Sequence, residues 1–317
     1  MKIVFLDRDT IPAQIPVPKP AFDHEWIEYP LTTAEETTSR IQDADIIITN
    51  KVVLNSDNLQ SAASVKLIAV AATGTNNIDL EYCRSRGIAV CNIQGYATQS
   101  VPEHVIASVF ALRRNLMAYH QDIANGEWQK KKQFCFFTHP IGDIAGSTMG
   151  IIGSGALGRA TGKLAKSVGM NVIYAERKGE SECRQGYSPF EQVLTESDVI
   201  SLHCPLTEST LNLIGAYELK QMKNNAILIN AGRGGLVDEN ALVEALQSNT
   251  IAGASVDVFP QEPADESNPL IANMDLPNLL LTPHVAWGSD SAITRLCEIL
   301  VENIESYVDG ELHNRVV

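Results

Sequence analysis

Met149-Gly-Ile-Ile-Gly153-Ser-Gly155-Ala-Leu-Gly158 is the stretch that decides the fold. An apolar, strand-like run leads straight into a turn with three spaced glycines, and the turn opens the amphipathic stretch Ala156–Val168. A G-x-G-x-x-G pattern alone is weak evidence; between a strand and a helix it acquires a physical meaning. The first glycine permits the tight turn, the second lets backbone approach a pyrophosphate, and the third allows close helix–strand packing. The helix start adds free N–H groups and the positive end of its dipole. The next strand ends at Glu176, 18 residues past Gly158. Dinucleotide folds place an acid about 20 residues on, to hydrogen-bond the ribose hydroxyls. A carboxylate there repels a 2′-phosphate and favours NAD, while the adjacent Arg177 and Lys178 leave NADP open.

Working outward, short Ile- and Val-rich runs alternate with amphipathic stretches. Lys2–Leu6, Asp45–Thr49, Leu67–Ala71 and Ile88–Asn92 read as buried strands, with helix-like Thr33–Asp43 and Ile78–Arg86 between them. Residues 101–124 read as one long helix, with Ser100 and Glu103 as a capping box and an apolar stripe at 101, 105, 109, 112 and 116. An irregular segment, 125–143, follows; it holds Trp128, the lysine run 130–132 and Phe134-Cys-Phe-Phe137. Aromatics this dense in such a segment call for cover from the protein body or from another subunit. A second series then begins, with strands at Thr148–Gly153, Asn171–Ala175, Asp198–His203, Ala226–Asn230, Gly253–Val258 and Leu279–Thr282. Ala156–Val168, Pro189–Thr195, Glu239–Ser248 and Ser291–Asp309 read as helices. Strand–helix alternation implies parallel sheets, hence an α/β fold with two series separated by one long helix.

Ligands in open α/β sheets bind at the carboxyl ends of strands. In the second series three ionisable residues stand just past such ends: Arg233 in Asn230-Ala-Gly-Arg-Gly-Gly, Glu262 in Asp257-Val-Phe-Pro-Gln-Glu-Pro263, and His284 in Thr282-Pro-His. An arginine grips a carboxylate through two parallel N–H bonds. A histidine donates or accepts a proton near neutral pH. A glutamate behind it holds one tautomer and stabilises the imidazolium. Beside a nicotinamide, the set would reduce a 2-keto acid. Taken singly each has a bland reading, and His24, His104, His120, His139, His203 and His313 receive it; His203 ends a strand of the cofactor half and so is also a pocket candidate.

Composition bounds the alternatives. The chain has 317 residues, more than one ordinary domain. Lys plus Arg number 24 against 38 Asp plus Glu, a net charge of −14, with 44% apolar residues. That balance argues against a nucleic-acid or anionic-membrane partner, which needs a basic footprint. No apolar run reaches the roughly 18 residues of a membrane span. The opening MKIVFLDRDT meets Asp7 too early for a signal-peptide core, and the cysteines at 83, 91, 135, 183, 204 and 297 form no C-x-x-C pair. The expectation is a cytoplasmic protein with reduced thiols and no metal site.

These motifs together resemble the D-isomer-specific 2-hydroxy-acid dehydrogenase family over nearly the whole chain. The resemblance is carried by Ala72-Thr-Gly-Thr-Asn-Asn-Ile-Asp79, the glycine turn 153–158, Ser201-Leu-His-Cys-Pro-Leu206, Asn230-Ala-Gly-Arg-Gly234, Asp257…Glu262-Pro263 and Thr282-Pro-His284. Asn92-Ile-Gln-Gly-Tyr-Ala-Thr98, Phe134-Cys-Phe-Phe137, Ala175-Glu-Arg-Lys178 and Ala286-Trp-Gly-Ser289 look most like its glycerate dehydrogenase (hydroxypyruvate reductase) branch. The resemblance implies two Rossmann-like or flavodoxin-like, doubly wound parallel-sheet domains with an active-site cleft between them. It places a discontinuous substrate domain at 1–99 plus 288–317. The NAD-binding domain is then 100–287, with a dimerisation segment near 100–145 and a homodimer as the assembly. Arg233 would bind substrate, His284 would be the acid/base and Glu262 its partner, while Thr73, Gly74 and Thr75 would face the substrate carboxylate, chiefly through backbone. Gly153, Gly155, Ala156, Leu157, Gly158, Glu176, His203, Cys204, Pro205, Ala231, Gly232 and Asp257 would line the cofactor, Asp257 near the nicotinamide carboxamide. The implied reaction is NADH-dependent reduction of hydroxypyruvate to D-glycerate, or of glyoxylate to glycolate. A formate-type dehydrogenase is the rival enzyme, and Glu262 stands where glutamine would be expected for it. An NAD-sensing corepressor is the rival binding protein. The chain departs from many members at Glu176, where they carry aspartate, and at Gly232, where they carry serine or threonine.

Overall fold

Runs of residues buried on both faces build the central strands of the two sheets, and each strand pairing is parallel. The structure, a computed structural model, describes residues 1–311 and 313–317. In chain order its first part contains β1 (Lys2–Phe5), β2 (Glu25–Glu28), α1 (Ala34–Ile41), β3 (Ile46–Thr49), α2 (Ser56–Leu59), β4 (Leu67–Val70), α3 (Leu80–Arg86) and β5 (Ala89–Cys91). Then come α4 (Ser100–Arg113), α5 (Leu116–Ala124), α6 (Glu127–Lys131), β6 (Thr148–Ile152), α7 (Ala156–Ser167), β7 (Asn171–Tyr174), α8 (Phe190–Glu196) and β8 (Val199–Leu202). The remainder is α9 (Ala216–Gln221), β9 (Ile227–Asn230), α10 (Glu239–Gln247), β10 (Gly253–Val256), α11 (Pro269–Ala272), β11 (Leu279–Leu281) and α12 (Asp290–Val308). The chain divides into two compact units, 1–96 with 288–317, and 97–287.

In the first unit the strand order is β2-β1-β3-β4-β5. Val4, Ile47, Ile68 and Val90 form its buried centre. α12 belongs to this unit; Asn303 in it donates to the carbonyl of Asn92 at 2.8 Å. Strand order reverses between β1 and β3, the place where such sheets hold ligands. Here Asp7 occupies it, accepting N–H bonds from Asn50 (2.9 Å), Lys51 (2.7 Å) and Val52 (3.3 Å). Burial pushes the Asp7 carboxyl up despite those bonds.

In the second unit the order is β11-β10-β9-β8-β6-β7. A single parallel bridge, Ala175 to Ser188, lies beyond the end of β7 and stands for one more strand. With it the arrangement is the Rossmann order, and its switch point lies between β6 and β8. Ile200, Leu202, Leu228, Ala254 and Leu242 are buried in the core on one side of the sheet. Among the described residues no helix is long and apolar enough to cross a membrane.

The expected long helix at 101–124 is two helices. Asn115 takes a left-handed conformation (φ 49°) between α4 and α5, which breaks the helical hydrogen-bond run. Leu116, the last member of the expected stripe, is exposed accordingly. The Ser100 capping box is absent as well: Gln99 is the N-cap, and the Ser100 hydroxyl donates to the carbonyl of Trp287 at 2.9 Å. β2 was not foreseen, because Glu25-Trp-Ile-Glu28 is an edge strand with exposed ends and lacks an apolar run. The segment 125–143 contains α6, and its Phe134 and Phe137 are 94% and 77% exposed.

Candidate active site

The glycine turn begins where β6 stops. Gly153 has φ 97°, a left-handed value that side chains rarely adopt. A Cβ there would also strike the backbone of Cys204, which leaves β8 on the other side of the switch point. A Cβ on Gly158 would strike the Gly153 carbonyl oxygen, so the third glycine is fixed by turn–helix packing. Gly155 differs, since a Cβ there would meet nothing within 4 Å. Fold packing does not require glycine at that position, whereas backbone approach by a ligand does. α7 starts at Ala156 with no side-chain cap, so its first-turn N–H groups, including those of Leu157 and Gly158, have no helical carbonyl to bond. Beside the turn, His203 Nδ1 is buried without a hydrogen-bond partner among the described residues, while its Nε2 lies 2.9 Å from the Ser201 hydroxyl. Burial pushes the His203 pKa down to about 4, which keeps the ring neutral at pH 7. Open space at Gly155, uncapped N–H groups and an unsatisfied buried nitrogen fit a dinucleotide pyrophosphate with its ribose.

The strand expected to end at Glu176 ends at Tyr174, so Glu176 stands two residues past β7, and its carboxylate is already engaged. Arg184 holds it through Nε (2.8 Å) and Nη2 (2.7 Å). Backbone N–H groups of Arg177 (2.9 Å) and Arg184 (3.0 Å) complete the set. These bonds draw the Glu176 pKa down to about 2, the Arg184 side chain being the largest cause. Lys178, the second cation weighed for a 2′-phosphate, turns to Glu218 at 2.8 Å.

The three expected catalytic side chains come from adjacent strands, β9, β10 and β11, at their carboxyl ends. His284 Nδ1 lies 2.7 Å from Glu262 Oε2. Glu262 Oε1 accepts from the Phe259 N–H at 3.0 Å, so its carboxylate is oriented by backbone as well. The two side chains are 27% and 31% exposed, neither enclosed nor fully in water. His284 itself has φ 54°. That conformation is costly for a non-glycine residue and persists only where surroundings dictate it. Asp257 is what dictates it. Its carboxylate is 1% exposed and accepts from the Thr282 hydroxyl (2.6 Å), Val285 N–H (2.9 Å) and Ala286 N–H (3.0 Å). Its backbone carbonyl takes the His284 N–H at 2.7 Å. The sequence expectation put Asp257 at the carboxamide; in the fold its carboxylate spends three of about four acceptor positions on the turn that carries His284.

Arg233 makes no ion pair among the described residues; Nη1 donates to the neighbouring Gly232 carbonyl at 2.7 Å. One of five guanidinium N–H donors is thus used. Asn230 shapes this loop, donating to the Arg233 carbonyl (2.9 Å) and accepting from Gly232 N–H (3.2 Å). Gly234 packs directly on the backbone at Phe259 and Pro260, which brings the Arg233 loop against the loop of Glu262. Cys204 and Ala231 are half-buried beside these strand ends, and Pro205 is exposed. In the first unit, the Thr73 hydroxyl donates to the Ile93 carbonyl at 2.7 Å and Asn92 holds the Thr73 carbonyl at 2.7 Å. With that hydroxyl committed, what Thr73 itself offers a ligand is backbone.

Comparison with known proteins identifies the family. Residues 106–286 match the family model described as D-isomer specific 2-hydroxyacid dehydrogenase, NAD binding domain. A glycerate dehydrogenase of Methylorubrum extorquens is 49% identical over 316 residues, covering 99% of this chain and 98% of that protein. Among solved structures, the D-lactate dehydrogenase of Aquifex aeolicus, complexed with NAD and lactic acid, is similar at TM-score 0.83 with 26% identity and 99% of each chain covered. The NADPH-dependent glyoxylate/hydroxypyruvate reductase of Sinorhizobium meliloti is similar at TM-score 0.82 with 26% identity, covering 100% of this chain and 97% of that one. The family-model match and the relative at 49% identity show that the chain belongs to the D-isomer-specific 2-hydroxyacid dehydrogenase family.

Proposed function

We propose that the protein is a nicotinamide-dependent reductase of hydroxypyruvate, accepting glyoxylate as the smaller alternative, with D-glycerate and glycolate as products. The observation that carries this reading is the His284–Glu262 contact of 2.7 Å at the strand ends where Arg233 stands without an ion-pair partner among the described residues. A dinucleotide fits the turn at 153–158, with Gly155, Ala156 and Leu157 at the pyrophosphate, Glu176 toward the ribose, and His203, Cys204, Pro205, Ala231, Gly232 and Asp257 toward the nicotinamide half. When bound in reduced form it supplies hydride to C2 of the keto acid. The guanidinium of Arg233 clamps the substrate carboxylate. Glu262 takes the Nδ1–H of His284, which fixes the ring and leaves Nε2 to carry the transferable proton. His284 Nε2–H passes that proton to the carbonyl oxygen as it becomes the alkoxide, so the product is the neutral alcohol and the ring is left neutral.

The relative at 49% identity, a glycerate dehydrogenase, supports hydroxypyruvate as the substrate. We place the substrate domain at 1–99 plus 288–317 and the cofactor domain at 100–287. The exposed Phe134 and Phe137, with half-exposed Leu116, Met117 and Trp128, support a homodimer built on 100–145. A cytoplasmic location follows from the same reading. The test is a panel of 2-keto acids assayed with NADH and with NADPH by loss of nicotinamide absorbance. Hydroxypyruvate should give the highest kcat/KM; no turnover with any small 2-keto acid would remove the proposal.

A further inference from the structure

The Glu176–Arg184 pair lies in a loop whose construction goes beyond holding a ribose. Residues 177–187 hang from the end of β7 and return at Ser188, which donates to the Tyr174 carbonyl (2.9 Å) and accepts from the Glu176 N–H (2.8 Å). Four donors reach the Glu176 carboxylate from within this loop, two on each oxygen. A carboxylate has about four acceptor directions, so none remains for a ribose hydroxyl while Arg184 stays in place. Glu176 is 4% exposed beneath the Arg184 side chain, which is itself 56% exposed.

The loop is also tied to the phosphate turn. The Arg184 guanidinium stacks 4.0 Å from the ring centre of Tyr187. The Tyr187 hydroxyl meets the hydroxyl of Ser154, between Gly153 and Gly155, at 2.5 Å. Arg159 donates to the same phenol at 3.2 Å. A cavity of about 260 Å³ opens here, lined by Glu176, Arg177, Glu180, Glu182 and Arg184. Arg177 is exposed there, whereas Lys178 is taken by Glu218. Glu180 and Glu182 oppose an anion; Arg177 and the outer face of Arg184 attract one.

We propose that Arg184 is the residue that sets cofactor choice: clasped on Glu176 it cancels the charge that would repel a 2′-phosphate and presents donors to it, so the chain accepts the phosphorylated dinucleotide alongside the unphosphorylated one. This rests on the dinucleotide reading of the glycine turn. When NADH binds, the ribose 2′-hydroxyl competes with Arg184 for Glu176. When NADPH binds, the guanidinium stays and the phosphate joins it.

The test is a titration of nicotinamide fluorescence, without substrate, giving Kd for NADH and NADPH. Arg184→Ala uncovers Glu176, so the ratio Kd(NADPH)/Kd(NADH) should rise about tenfold or more, the worth of one charge-assisted contact. Arg184→Lys should give a smaller rise, because it keeps the charge and loses the fork. Glu176→Gln should lower the ratio. These two variants carry the test if Arg184→Ala folds poorly, which thermal melting shows. A ratio that moves less than about threefold in Arg184→Ala, or falls, overturns the assignment of Arg184. Failure of the wild-type protein to bind either cofactor overturns the dinucleotide reading itself.

Discussion

Replacing Glu262 by glutamine removes one charge and keeps the shape of the side chain. Its Oε1 can still accept the Phe259 N–H, so the loop is expected to hold. The amide then faces His284 Nδ1 across the former 2.7 Å contact with an N–H and no charge. It can donate to a neutral ring at Nδ1 and so favours the opposite tautomer, while the imidazolium loses its counter-ion. Bare Coulomb attraction at that distance, with an effective dielectric near 20, is about 6 kcal/mol. Both side chains are near 30% exposed (27% and 31%), so water screens much of it. A charge-assisted hydrogen bond of about 1.5–3 kcal/mol is the better measure. Without its counter-ion, and with the tautomer that puts the proton on Nε2 disfavoured, His284 is less often the competent proton donor, so kcat for keto-acid reduction falls roughly 10- to 100-fold at neutral pH. KM should change little, because Glu262 is not assigned to the carboxylate, and the melting temperature should stay close to wild type. Steady-state assays of Glu262→Gln across pH, following nicotinamide absorbance, measure this directly. An unchanged kcat at neutral pH would refute the pairing as a catalytic device.

Arg233→Ala should raise KM for the keto acid and lower kcat together, since anchoring the carboxylate also aligns C2; unchanged kinetics would take Arg233 out of the site. Asp257→Ala leaves two backbone N–H groups and a hydroxyl without their acceptor, so it should cost about 2–4 kcal/mol in denaturant unfolding and lower kcat through the turn bearing His284; wild-type stability would contradict its anchoring role. Gly155→Val should fold with a near wild-type melting temperature yet lose NADH binding, whereas Gly158→Val should fail to fold, because only the second meets backbone; normal NADH affinity in Gly155→Val would exclude the turn as the pyrophosphate site. The Glu176 carboxyl lies lower in the folded chain (about 2) than its ordinary 4.5, so its pairing stabilises the fold above pH 4.5 and loses that effect as the pH falls from there toward 2. The melting-temperature gap between wild type and Glu176→Gln should therefore shrink over that window, and a constant gap would argue that the pairing adds no pH-dependent stability.

Alternation of buried β-branched runs with amphipathic stretches made the parallel sheets legible, because strands covered on both faces must be apolar along their length. β2 escaped for the same reason: at the sheet edge Glu25-Trp-Ile-Glu28 needs no apolar run. The break at Asn115 was hidden because a left-handed residue leaves the apolar spacing of α4 intact. Arg233, Glu262 and His284 were legible from their places just past strand ends. The work of Asp257 was not, since a buried carboxylate and the turn it secures lie 25 to 29 residues apart in sequence. Arg184 was invisible too: nothing in an exposed loop signals that its eighth residue folds back onto Glu176. Both depend on side chains meeting across a turn, which period and composition do not encode.

The central claim is that Arg233, Glu262 and His284 reduce a small 2-keto acid at C2 with one stereochemical outcome. The most direct measurement is to incubate the protein with hydroxypyruvate and NADH and determine the amount and configuration of the product by chiral chromatography. The account predicts D-glycerate in a one-to-one ratio with NADH consumed. L-glycerate, a racemic product, or NADH loss without glycerate would contradict it.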